Sequence, residues 1–515
     1  MLYVLSAAQI KQVEARSDAL GTAYEVLMEH AALSAFREMG RAVRLHEQTA
    51  LLFCGSGNNG GDGYELARLL SAVCARVTVL SVGHPKTPLS IKMHERLSRT
   101  GVHVLEADNE AAFREVGRAG ILVDAVYGTG FDPGKGLPPL VKHLFAEAKE
   151  AQGFRISLDI PSGVSSDSGE AAAGAFLPDL TITFGSMKTG MLRPSCRDRL
   201  GTLVVTDIGF PVDACTDMAD APLLITEDLI RPLLPCRRPS AHKGDFGRLL
   251  CIAGSFSMSG AAVLLTRAAL RAGAGLCKLA APRSVTAIAA AAVWEATHLP
   301  LAETEEGQIS HHAVAGVLAS LKNASAVAIG PGMGQGEDIG QIVGAVLENA
   351  VCPVILDADG INALADNIDM IGTCKAELVL TPHPGEMSRL TGRSVSDIEQ
   401  DRTTAAVSFA TDYGVTLVLK GANTVIAAPD GRVFVNITGN PGLARGGSGD
   451  VLTGIIASLA AQGLSAVDAA VCGVYLHGLA ADKLRARSSM QGMLPHELPE
   501  ELPLLFHKWE ARGDR

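Results

Sequence analysis

From residue 50 onward, short apolar and β-branched runs alternate with longer, more polar segments of helical period. The runs at 50–54, 77–81, 102–105, 121–124, 156–160 and 203–206 predict strands. Alternation of this kind predicts parallel βαβ units with helices on both faces of a sheet. Ahead of them, residues 6–40 carry Ile10, Val13, Leu20, Val26, Leu27 and Ala31 at helical spacing. A second strand series follows at 249–253, 277–281, 326–329, 354–357, 378–380, 415–419, 424–427 and 433–435. Between the series, 209–247 sustains no period and holds Pro211, Pro222, Pro232, Pro235 and Pro239. A boundary near residue 220 therefore predicts two α/β domains, 1–215 and 225–505.

Composition narrows the function. Of 515 residues 47% are apolar and 19% charged, so most of the chain buries a core. The net charge of −11 argues against a nucleic-acid or membrane partner, both of which call for a basic surface. An anionic small ligand stays open, because helix N-termini and glycine loops bind phosphate without net positive charge. The 55 glycines supply such loops, whereas 4% aromatics supply few stacking platforms. None of the ten cysteines forms a CxxC pair, which favours buried, reduced thiols over zinc or redox chemistry. The first residues lack the basic start of a signal peptide, and no apolar run is long enough to span a membrane. A cytoplasmic protein is expected.

The run at 50–54 leads into Gly55-Ser56-Gly57-Asn58-Asn59-Gly60-Gly61-Asp62-Gly63 and then a helical stretch, the strand–turn–helix context of a phosphate-binding loop. The second strand ends without the acid of a redox dinucleotide site, so that reading is the weaker one. Two further strand ends are polar, Asp124-Ala125-Val126-Tyr127-Gly128-Thr129-Gly130-Phe131 and Asp159-Ile160-Pro161-Ser162-Gly163. Asn59, Asp124 and Ser162 are candidate oxygen ligands for a hard cation, and Asp159 is a candidate acid/base.

These motifs resemble those of the NAD(P)H-hydrate epimerase family, over about residues 1–215. The resemblance implies a Rossmann-like domain that binds hydrated NAD(P)H through Asn58, Asn59, Gly60, Gly61 and Asp62. A second set of contacts would come from Gly128, Thr129, Gly130, Phe131, Asp132, Pro133 and Gly134. It further implies potassium on Asn59, Asp124 and Ser162, with Asp159 beside the reacting ring.

In the second half, Arg445-Gly446-Gly447-Ser448-Gly449-Asp450 precedes an apolar helical run. Free backbone N–H groups at a helix start suit a transferring phosphoryl group, and Asp450 at that mouth is a candidate base. No GxxxxGK[ST] is present, so this is not a P-loop. Lys420-Gly421 ends one strand and is a candidate phosphate contact, while His383 lies between Pro382 and Pro384. For Asp357 and Asp359, magnesium contact, ribose contact and turn formation all stay open.

Together with GPGMG at 330–334 and TPHPGE at 381–386, these motifs resemble the ADP/ATP-dependent NAD(P)H-hydrate dehydratase family, ribokinase-like in fold, over about 225–500. The resemblance implies hydrate contacts at Ala262, Gly334, His383 and Asp450. Nucleotide contacts would come from Lys420, Gly421, Ala422, Asn423, Thr424 and Gly449. The expected whole is a repair enzyme that interconverts the R and S hydrates and dehydrates the S form. ADP is the implied phosphoryl donor, with Mg2+, and nothing in the residues excludes ATP. A homo-oligomer is expected. The alternative is a ribokinase-like small-alcohol kinase fused to a non-catalytic Rossmann-like module.

Overall fold

The computed structural model describes residues 1–108 and 110–511, and it divides into two compact units, Met1–Leu223 and Leu224–Arg515. Seven strands form the sheet of the first unit. They are β1 (Thr49–Gly55), β2 (Arg76–Val82), β3 (His103–Glu106), β4 (Ile121–Ala125), β5 (Phe154–Leu158), β6 (Leu180–Phe184) and β7 (Thr202–Thr206). All pair in parallel, in the order β3-β2-β1-β4-β5-β6-β7. The order reverses between β1 and β4, so the loops leaving these two strands border the crevice where open parallel sheets bind ligands.

Both faces of this sheet are covered, which is why its strands read as continuous apolar runs. Leu52 and Cys54 pack on one face with Leu27, Met28 and Ala31 of the helix Tyr24–Ala42. Leu51 and Phe53 pack on the other face with Val141, Leu144 and Phe145 of the helix Pro139–Glu150. Phe53 meets Phe145 and Phe176 edge to face, at centroid distances of 6.1 and 6.4 Å.

The structure corrects three local expectations here. The leading helical segment is two helices, Ala7–Ala19 and Tyr24–Ala42, interrupted where Gly21 takes φ +96°. The strand expected over 156–160 stops at Leu158, because Asp159 turns into the left-handed region at φ +66°. Strand β6 went unrecognised because Thr181 and Thr183 alternate with its apolar residues and mimic a half-exposed edge. Both threonines are buried, and their hydroxyls donate to the carbonyls of Leu200 (2.7 Å) and Ser186 (3.4 Å).

The second unit is built on ten strands. They are β8 (Leu223–Leu224), β9 (Arg248–Ile252), β10 (Leu276–Pro282), β11 (Thr297–Leu301), β12 (Ala326–Ile329), β13 (Val354–Leu356), β14 (Leu378–Leu380), β15 (Thr416–Leu419), β16 (Thr424–Ala427) and β17 (Val433–Asn436). Their order is β8-β17-β16-β15-β14-β13-β12-β9-β10-β11. Strands β9 to β15 run parallel, and β15, β16 and β17 form an antiparallel meander. Strand β11 was not expected because it contains Pro300; it lies at the sheet edge, where a missing N–H is tolerated. Ile329, Leu356, Leu380 and Leu419 join one core with Ile342 and Val346 of the helix Glu337–Asn349. Among the described residues no helix is long and apolar enough to cross a membrane.

Candidate active sites

In the first unit the glycine loop opens the helix Asn58–Leu70, with Gly57 at its cap. Two of its glycines bring backbone against backbone. A methyl group at Gly55 would lie 2.0 Å from the Val126 carbonyl oxygen, and one at Gly60 would lie 1.9 Å from that of Gly55. The loops after β1 and β4 are therefore in backbone contact. Gly57 and Gly130 face open space. Asn58, Gly61 and Asp62 lie in the first turns of the helix. Thr129 accepts a hydrogen bond from Ser166 (3.1 Å), and Phe131 donates its N–H to Gly128 (3.2 Å). Asp132 spends one oxygen on the N–H of Gly134, capping the short Pro133–Lys135 turn.

Asp124 and Ser162 meet, and Asn59 lies against Gly128 of the same loop. Ser162 donates both its hydroxyl (2.5 Å) and its N–H (2.7 Å) to Asp124, which also accepts from Ser157 (2.9 Å) and the Val126 N–H (3.2 Å). Asp124 is fully buried, and burial pushes its carboxyl up to about 6 despite these four donors. Asn59 is buried too; its amide nitrogen reaches the Leu158 carbonyl (3.4 Å), while its carbonyl oxygen has no partner. A buried carboxylate with neutral partners beside an orphaned amide oxygen is a donor set that suits a hard monovalent cation.

Asp159 stands next to this cluster, its Oδ2 3.3 Å from where a Cβ on Gly128 would sit. Its other oxygen makes an ion pair with Lys188. Burial first, then the carboxylates of Asp159 and Glu14, push the Asp62 carboxyl well above the usual range, with Lys188 opposing. Glu14 is likewise raised by burial and by Asp159. Sequence reasoning missed Lys188 and Glu14. A signal for Lys188 was available: one lysine within Phe184-Gly185-Ser186-Met187-Lys188, a segment otherwise without charge.

In the second unit the helix Ser448–Ala461 starts after Gly447, which takes φ +97°, and Asp450 lies in its first turn. A Cβ on Gly449 would sit 3.5 Å from Lys420 Nζ and 3.6 Å from Asp357 Oδ2, so the ends of β13 and β15 and the glycine loop meet. Asp357, 1% exposed, is the hub. It accepts from Lys420, Thr381 and Thr453, each at 2.7 Å. Burial alone would raise its carboxyl; Lys420 and the two hydroxyls outweigh burial and hold it below the usual range. Asp450 has the opposite balance. Burial first, then Asp357, pushes it up to about 6 against the pull of Lys420.

The Lys420-Gly421 turn is held by Arg402, whose guanidinium donates to the carbonyls of Leu419 (2.8 Å) and Lys420 (3.0 Å). A Cβ on Gly421 would clash with that group at 2.5 Å. Thr424 closes the turn by donating to the Gly421 carbonyl (3.1 Å), and Asn423 is buried within it. His383 caps the helix Pro384–Thr391. Its Nδ1 accepts from the N–H groups of Gly385 (3.0 Å) and Glu386 (3.2 Å), which leaves the Nε2 edge as the donor. Gly334 donates its N–H to Asp359 (2.9 Å), so Asp359 secures the 330–334 loop. Ala262 is fully buried under Gly254. Arg445 donates to the Gln491 carbonyl (2.7 Å) and anchors the segment ahead of the glycine loop. Sequence reasoning assigned no role to Thr381, Thr453, Arg402 and His477. Ser448 Oγ and His477 Nε2 are buried without partners, and burial lowers the His477 imidazole to about 4.

Comparison with known proteins bears on both sites. A family model described as YjeF-related protein N-terminus matches residues 24–190, and one described as NAD(P)H-hydrate dehydratase matches 249–504. The chain is 36% identical to a bifunctional NAD(P)H-hydrate repair enzyme of Moorella thermoacetica, over 99% of this chain and 97% of the relative. It is 37% identical to the enzyme of that name from Escherichia coli, over 94% and 89%. A Bacillus subtilis ADP/ATP-dependent NAD(P)H-hydrate dehydratase co-crystallised with ATP/Mg2+ is 36% identical, covering 56% of this chain and 98% of that one, with a TM-score of 0.49.

Proposed function

Because this chain belongs to the family of bifunctional NAD(P)H-hydrate repair enzymes, we propose that its first unit epimerises hydrated NAD(P)H and its second unit dehydrates the S form. Kinship over nearly the whole chain supports repair over a small-alcohol kinase fused to a binding module. The reaction class also suits a cytoplasmic protein, where NAD(P)H is abundant.

The observation that carries the dehydratase reading is Asp450, poised near 6 at a helix mouth lined by Gly449 and Lys420. Asp450 takes the proton of the hydrate's hydroxyl as that oxygen attacks the terminal phosphorus of ADP, and AMP leaves. The N–H groups at 446–449 hold the transferring group. The ring nitrogen's lone pair then expels phosphate, a far better leaving group than hydroxide, leaving an iminium at C6, and loss of a proton from C5 restores the double bond of NAD(P)H. Ala262, Gly334 and the Nε2 edge of His383 line the hydrate side, and Lys420 to Thr424 the nucleotide side. Among the described residues no group of three or more His, Cys, Asp and Glu is arranged to hold a metal. Mg2+ carried on the nucleotide phosphates would neutralise charge on the group in transfer.

In the first unit, Asn58 to Asp62 and Gly128 to Gly134 bind the hydrate, and Asp159 is the acid/base for interconversion of the R and S forms at C6. The orphaned Asn59 Oδ1 with Asp124 and Ser162 fits potassium, which would supply fixed positive charge behind the glycine loops. The deciding experiment incubates the protein with hydrated NADPH and ADP or ATP and follows the dihydronicotinamide absorbance. Recovery of the absorbance from both epimers is expected; no recovery with either nucleotide overturns the dehydratase reading. Recovery that stalls with the R form left over overturns the epimerase reading.

A further inference from the structure

Lys188 is 1% exposed and ranks among the largest fully buried side chains of the molecule. An ammonium has three protons to donate, and here each has an acceptor: the Asp159 carboxylate Oδ1, the Phe184 carbonyl (3.1 Å) and the Ser186 carbonyl (3.2 Å). Its backbone is held independently. Met187–Lys188 pairs in parallel with Val4–Leu5, Leu5 lying opposite Lys188. The carboxylate it touches is also on a fixed mount. Asp159 takes φ +66° immediately after β5, and its N–H donates to the Ile182 carbonyl of β6 (2.7 Å). A non-glycine residue keeps that conformation only when its surroundings enforce it.

The two carboxylate oxygens have different surroundings. Oδ1 faces Lys188, with the Thr183 hydroxyl and the Phe184 N–H farther off at 3.5 Å. Oδ2 faces Gly128, on the loop proposed to hold the hydrate, beside the Asn59 side chain. We infer that Lys188 is a positioning residue for epimerisation: by clamping Oδ1 it aims Oδ2 of Asp159 at the reacting carbon of the bound hydrate. The inference rests on the epimerase reading above. Lys188 touches no substrate itself, since its protons are all engaged and its side chain is buried.

The consequence is specific to turnover. Without the ammonium, Asp159 rotates and binding persists through the glycine loops, so the loss appears in kcat. A misplacement of about 1 Å is enough for a loss of about 100-fold. The test is Lys188→Met, of similar length and without charge, assayed by the R/S ratio of hydrated NADPH against time. The epimerisation kcat is expected to fall about 100-fold with KM held within about threefold. Dehydration of pure S hydrate by the same preparation, carried by the other unit, reports whether the second unit is intact, and the melting of the first unit is followed separately. A merely structural lysine would raise KM or lower the fraction of chains that bind hydrate; with kcat expressed per titrated hydrate-binding site of the first unit, a structural role cannot give that split. If methionine unfolds the first unit, the same split is measured on Lys188→Gln, whose amide keeps two N–H donors without the charge. A kcat within about threefold of wild type, or a loss carried by KM, overturns the clamp. Wild-type protein that fails to change the R/S ratio overturns the epimerase reading, and the clamp with it.

Discussion

Each unit sets a carboxylate against a buried or half-buried lysine at the end of a parallel sheet, and the two arrangements differ in which carboxylate the lysine touches. In the first unit Lys188 touches Asp159, the proposed acid/base itself. In the second, Lys420 touches Asp357 and, farther off, Glu386, and no ion pair among the described residues reaches Asp450. Asp357 takes the cation and both hydroxyls and is held low; Asp450 feels the same low-dielectric surroundings and a neighbouring negative charge, and is raised. A lysine on the reactive carboxylate gives an oriented group. A lysine on its neighbour gives a poised base.

The largest expected effects come from removing each reactive carboxylate. Asp450→Asn should lower dehydration of S hydrate with ADP by about 10²–10⁴-fold, the usual worth of a general base, with epimerisation unchanged. Asp159→Asn should do the reverse, read from the R/S ratio. Loss of both activities in either variant would break the comparison, since the two centres would not be chemically separate.

What could be read from the sequence follows from the range of the forces involved. The loops after β1, β4 and β5 were legible because tight backbone approach demands glycine, and strand ends in parallel sheets demand polar residues within a few positions of them. Lys188 stood out as a lone charge in its segment, but its role was illegible because it depends on β6, whose Thr181 and Thr183 disguised a buried strand, and on a ladder with Val4–Leu5 far away in sequence. Asp357 could be noticed as a strand-end acid but not interpreted. Its partners Thr381, Lys420 and Thr453 come from three other elements, and only the assembled sheet brings them within 2.7 Å. The β15-Lys420 strand end was legible, whereas the Arg402 guanidinium that excludes any side chain at Gly421 was not.

A second prediction sharpens the contrast through pH. Asp450, raised to about 6, must be ionised to accept a proton. The kcat/KM of dehydration should therefore fall tenfold per pH unit below about 6 and level off above it. Stability should show the opposite sign. A carboxyl whose folded value lies above its unfolded one favours the native state most below the unfolded value, and that contribution is lost as pH rises through 6. Asp450→Asn should accordingly raise the melting temperature of the second unit at pH 7, by roughly 2–4 °C, and leave it nearly unchanged at pH 4. An acidic limb that survives in Asp450→Asn would assign it to another group.

The smallest effect separates stability from turnover at the same helix mouth. Ser448 is buried at the start of the helix Ser448–Ala461, and its hydroxyl has no partner. An unsatisfied buried hydroxyl costs stability, so Ser448→Ala should leave the melting temperature unchanged or slightly higher. The hydroxyl gains a partner only when a phosphoryl group occupies the glycine loop, so the variant should lose about ten- to hundredfold in kcat for dehydration, as expected for one hydrogen bond to a charged group. His477, whose Nε2 is also unpartnered and whose imidazole is neutral at working pH, provides the control. If Ser448→Ala melts clearly below wild type, the hydroxyl is bonded in the resting protein, through His477 or a water, and its place in phosphoryl transfer is lost.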